Sequence, residues 1–64
     1  MFSNLNAEIG RKGLLKKDIA KMLGISTSAL RLKLIGKKRF YLDEAIMLSK
    51  LFNDCSVEYL FQKV

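Results

Sequence analysis

Residues 16–35 read KKDIAKMLGISTSALRLKLI. Counted from Lys16, the fifth position is Ala20 and the ninth is Gly24, while Ile19, Leu23, Ile25 and Leu30 stand at the fourth, eighth, tenth and fifteenth. An alanine lets two helices cross closely. A glycine accepts the positive φ of a sharp turn without steric cost, and apolar residues at helical spacing hold the pair together. The stretch therefore predicts two short helices joined by a tight glycine turn, a helix-turn-helix over about 16–35. At the eighteenth position an apolar residue is expected and Lys33 stands there, with Leu34 beside it as the substitute, which predicts a slightly rotated second helix. Ser26 suits the N-cap of that helix, its hydroxyl accepting from the amide of Ser28 or Ala29. Leu15 precedes the first helix of the pair and has no side-chain acceptor, so that helix depends on tertiary packing.

Working outward, the same three- and four-residue apolar spacing continues on both sides and proline is absent, so the chain reads as all-α. Leu5 and Ile9 mark a first helix from about Ser3 to Lys12, stopped at Gly13. Ile19, Met22 and Leu23 form the stripe of the second helix, and Leu30 and Leu34 that of the third, which ends at Gly36. A fourth helix begins near Leu42. Asp43 and Glu44 in its first turn suit the positive end of the helix dipole, and Leu42, Ala45, Ile46, Leu48, Leu51 and Phe52 give it a broad apolar face. Asn53 and Asp54 break it, Ser56 caps a last short helix, and Val57, Leu60 and Phe61 are expected to close the core. The 64 residues thus predict one five-helix domain spanning the chain.

Twelve Lys and Arg against six Asp and Glu give a net charge of +6. Nucleic acid and an anionic membrane surface both answer such a charge, as does a plain solubilising surface. Placement discriminates among them. From Lys21 to Tyr41 there is no acid, and Arg31, Lys33, Lys37, Lys38 and Arg39 crowd into that stretch, so one face is expected to be strongly basic. No apolar run approaches the roughly 20 residues that cross a bilayer, and no signal-peptide pattern opens the chain, so a soluble cytoplasmic protein is expected. A membrane-surface helix is disfavoured because the basic residues interleave with a core pattern over five helices. Histidine is absent, the carboxylates are scattered, and the single Cys55 has no base beside it in sequence, so catalysis, a metal and a cofactor are not expected. Cys55 reads as a semi-buried thiol.

Asn4-Leu5, Ala7-Glu8-Ile9, Arg11-Lys12-Gly13-Leu14, Asp18-Ile19-Ala20 and Leu23-Gly24-Ile25-Ser26 resemble the Cro and phage-repressor type of bacterial helix-turn-helix regulator, also called the xenobiotic-response-element type. Lys33-Leu34, Gly36-Lys37, Phe40 and Glu58-Tyr59-Leu60-Phe61 resemble a variant found in phages and mobile elements of Gram-positive bacteria. The resemblance covers nearly the whole chain. It implies a compact, lambda-repressor-like five-helix domain, usually dimeric, that controls transcription, in a bacterial or phage-infected cell.

In that geometry the third helix, about 27–35, enters the major groove, and Thr27, Ser28, Arg31 and Leu32 are the candidates for reading bases. The paired donors of Arg31 match guanine, and Leu32 offers only an apolar contact to a thymine methyl. The resemblance puts a phosphate contact at Lys16, where the family usually has glutamine. Lys17, Ser26, Lys37, Lys38 and Arg39 complete the candidate phosphate set. Useful specificity requires two half-sites, so a homodimer on a near-palindromic operator is expected, with Tyr59, Phe61 and Val64 as the candidate interface. No small-molecule ligand is expected. The rival reading is a protein-interaction module, such as an antirepressor or regulator-binding protein, that keeps the fold and presents Ile35, Phe40 and Tyr41.

Overall fold

The computed structural model describes residues 1–63, which form five helices and no strand: α1 (Ser3–Arg11), α2 (Lys16–Leu23), α3 (Thr27–Leu34), α4 (Leu42–Leu51) and α5 (Val57–Leu60). Turn chemistry sets these boundaries. Gly24 ends α2 in the left-handed region at φ 73°, which frees its own N–H to reach the carbonyl of Lys21 and that of Ile25 to reach the carbonyl of Ala20. These two bonds satisfy carbonyls that the helix end would otherwise leave open. Ser26 then caps α3, its hydroxyl accepting from the amide of Ala29 at 3.0 Å. Ser56 caps α5 in the same way, accepting from Tyr59 at 3.0 Å.

The helices pack α2 on α3, α1 on α5 and α4 on α5. Leu5, Leu30, Leu34, Leu48, Phe52 and Leu60 are fully buried at their meeting point, and Ile19 and Ala20 bring α2 onto it. Each such leucine contributes about 1.5–3 kcal/mol by leaving water. An aromatic group extends this core towards the chain ends. Phe2, Phe40 and Phe61 form a triangle of edge-to-face rings with centroids 5.4–5.8 Å apart. The amide of Phe2 also donates to the carbonyl of Leu34 at 3.1 Å, so the N-terminus is fastened to the end of α3.

Several apolar residues expected inside are outside. Leu42 is 78% exposed, Ile46 lies on the same side of α4, and Val57 on α5 is 49% exposed. Helix α4 is apolar around most of its circumference and only one side meets the core. Glu44, Leu48 and Phe52 turn inward, so Leu42 and Ile46, four residues apart, turn out. Met22 on α2 is likewise part-exposed.

The largest correction concerns Lys33. Its side chain occupies the buried position itself, beside an equally buried Leu34, and no rotation of α3 is needed to replace it. The ammonium meets the carboxylate of Glu44, while Glu44 also accepts the amide of Tyr41 at 2.9 Å and so caps α4. The Tyr41 ring lies 4.6 Å from the Lys33 nitrogen and covers it. No helix among the described residues is long and apolar enough to cross a membrane.

Candidate nucleic-acid interface

The exposed side of α3 follows from which side is buried. Leu30, Lys33 and Leu34 face inward, and at about 100° per residue the opposite arc carries Thr27, Ser28, Arg31, Leu32 and Ile35. Ser28, Arg31 and Ile35 are exposed, while Thr27 and Leu32 are half-buried at its edges. The four candidate readers therefore share one face, with Arg31 near its centre and Leu32 at its margin. Because Lys33 anchors α3 to α4, this face is rigidly set.

The loop after α3 is held as tightly. Gly36 has φ 90°, and the carbonyl of Leu32 accepts the amides of both Lys37 and Lys38, at 2.9 and 3.3 Å. Lys37, Lys38 and Arg39 are thus exposed at a fixed place beyond the end of α3. Lys38, Arg39 and Tyr41 line a shallow depression with Ile25, Ala29 and Lys33, so the loop borders the side of α3 that carries Ala29. On the other flank, Lys16 and Lys17 open α2. Leu15 supplies no cap, and the amides of Lys16 and Lys17 are left without a backbone partner where two lysine side chains stand.

Ion pairing is distributed unevenly. Arg11 binds Glu8 at 2.6 Å and Asp54 at 3.2 Å, Lys12 binds Asp54 at 3.3 Å, and Lys33 binds Glu44. Its hydrogen bond and charge contact with Glu8 raise Arg11 above the usual guanidinium range. Its own backbone amide first, and then Lys12, hold the Asp54 carboxyl below the usual carboxylate range. These acids neutralise cations on α1 and on the buried side of α3. Lys16, Lys17, Arg31, Lys37, Lys38 and Arg39 make no ion pair among the described residues. Ser26, the remaining phosphate candidate, is exposed but its hydroxyl is engaged as the α3 cap.

The other candidate surfaces divide. Phe61 and Phe40 pack on the core with Phe2 and are half-buried, so each offers only part of its ring to the interface expected at Phe61 and to the patch expected with Ile35 and Tyr41. Tyr59 is 42% exposed and remains available, and Val64 lies outside the described residues. Glu8, Asp54 and Cys55 bring their donor atoms within 4.8 Å of one another, an arrangement that the scattered sequence positions did not reveal. The guanidinium of Arg11 already bridges the two carboxylates, supplying the positive charge that a metal ion would bring. Partial burial, and then the charges of Asp54 and Glu8, push the Cys55 thiol above its ordinary range.

No family model, curated protein or solved structure matches this chain.

Proposed function

We propose that this chain is a sequence-specific double-stranded DNA-binding regulator, of the kind that phages and mobile elements use as a Cro or repressor. The observation that carries this reading is the sorting of charge. The acids that form ion pairs are spent on Arg11, Lys12 and Lys33, and six of the cations left without an ion pair among the described residues, Lys16, Lys17, Arg31, Lys37, Lys38 and Arg39, lie on or to either side of one exposed helix face. Helix α3 is the element that enters the major groove, with Arg31 donating to guanine and Thr27 and Ser28 to either side of it. Leu32, at the edge of the face, meets a thymine methyl or the sugar edge. Lys16 and Lys17, with the free amides at the start of α2, take one phosphate strand. Lys37, Lys38 and Arg39 take the other.

One α3 spans only a few base pairs, so two copies read a near-palindromic operator, with Tyr59, 42% exposed, among the residues that join them. Selection of bound sequences from a random duplex library tests the reading as a whole. Enrichment of a near-palindrome is expected. A library that remains random after repeated rounds overturns it.

A further inference from the structure

An apolar groove opens between α4 and α5, lined by none of the α3 residues Thr27, Ser28, Arg31 and Leu32. Phe2, Phe40 and Phe61 form its floor, Leu42 and Ala45 one wall and Val57 the other, around a space of about 590 Å³. Leu42 and Val57 stand well into solvent, so the groove is open along its top. Arg39 and Lys63 stand on its edge. The Lys63 nitrogen lies 5.6 Å from the Phe2 ring centroid, directly over the floor. Neither cation forms an ion pair among the described residues, and no acid lines the groove.

Exposed apolar surface and unanswered positive charge occur together here, and a partner that satisfies one must also answer the other. We propose that this groove docks an acidic amphipathic segment of a partner protein. A large apolar side chain of that segment enters between Leu42 and Val57 onto the aromatic floor, and its carboxylates meet Arg39 and Lys63. A second copy of this chain fits less well. The protein carries a net +6, and pairing two grooves about a two-fold axis would bring two Arg39 and two Lys63 side chains together. Arg39 alone is shared with the candidate nucleic-acid interface, and the inference holds whether or not the chain binds DNA.

Selection from a random peptide library displayed on phage, against the full chain, tests the proposal. Leu42→Asp and Lys63→Glu serve as counter-targets, because both positions are exposed and the substitutions leave the core intact, which an unchanged helical circular dichroism spectrum would verify. Expected are peptides that combine Asp or Glu with Leu, Phe or Trp, that shift the amide resonances of Ala45, Val57 and Phe61, and that bind either variant about tenfold more weakly. Failure to enrich above the counter-targets, or enrichment of peptides without acids, overturns the proposal. So does a concentration-dependent dimer in sedimentation that Leu42→Asp dissolves, which assigns the groove to a second copy. Co-sedimentation with phosphatidylglycerol vesicles that the same variant abolishes would assign it to a lipid surface instead.

Discussion

The ammonium of Lys33 lies 2.5 Å from a carboxylate oxygen of Glu44, and the two side chains are only 6% and 7% exposed. This pair joins α3 to the start of α4 at a position where the sequence pattern of a helix-turn-helix calls for an apolar side chain. Removing one partner leaves the other charge buried alone. Lys33→Met should therefore destabilise the fold by about 3–5 kcal/mol, whereas Lys33→Met with Glu44→Gln should recover most of that, since glutamine can still accept the Tyr41 amide. Urea unfolding of the four members of the cycle measures the coupling. Additive single effects would mean that the pair does not act as a unit.

Gly24 and Gly36 both have positive φ, at 73° and 90°, but their surroundings differ. A Cβ at Gly24 meets nothing, while one at Gly36 would lie 3.2 Å from the backbone nitrogen of Met1. Gly24→Ala should cost about 1–2 kcal/mol from backbone strain alone. Gly36→Ala should cost more, because the N-terminal strap must also move. Thermal unfolding of the two variants orders them, and a smaller loss at Gly36 would contradict the packing of Met1 against it.

Arg31 and the pair Lys37 and Lys38 are assigned different work on DNA. Arg31→Ala should chiefly relax sequence preference, by about 1–3 kcal/mol at one base pair, while leaving nonspecific affinity near its original value. Lys37→Ala with Lys38→Ala should weaken specific and nonspecific duplexes alike and flatten the dependence of affinity on salt. Titrations of both variants against a selected and a scrambled duplex at several salt concentrations separate these outcomes. The reverse assignment follows if the lysine variant loses selectivity and the arginine variant loses only affinity.

Asp54 and Cys55 give the fold a defined response to pH. A carboxyl held below its ordinary range stabilises the folded chain above that range, and the contribution is lost as pH falls through the lowered value. Asp54→Asn should therefore be less stable near neutrality and lose less stability than the original chain below about pH 4. The Cys55 thiol, held above its ordinary range by partial burial and by Asp54, should be alkylated by iodoacetamide more slowly at about pH 8 than in the urea-unfolded chain, and faster in Asp54→Asn. Unchanged alkylation in that variant would show that Asp54 does not act on the thiol.

Helix boundaries and the turn were legible in residues 16–35 because they rest on local chemistry. Gly24 supplies a backbone angle, Ser26 and Ser56 supply caps to amides three residues on, and Ala20 and Leu30 fall on their helix faces by period alone. The arc of α3 carrying Thr27, Ser28, Arg31 and Leu32 was legible for the same reason, since fixing the buried side of a helix fixes its exposed side. Choices between two apolar faces were not legible. Leu42 and Val57 are as hydrophobic as Leu48 and Leu60, and only the packing of α4 against its neighbours turns the first two into solvent. Phe61 was read both as a core residue and as an interface residue, and Phe2 and Phe40, distant in sequence, draw it towards the core.

A lysine at a buried position is the one signal that could have led to Glu44, since such a charge requires a carboxylate within reach. The sequence by itself determined an all-α chain, its glycine turn, its caps and the concentration of positive charge around the third helix. Only the tertiary structure decided which cations are neutralised and which stay free. Local pattern depends on neighbours within a few residues, whereas Lys33–Glu44, Arg11–Asp54 and the Phe2–Phe40–Phe61 triangle join residues that only the folded chain brings together.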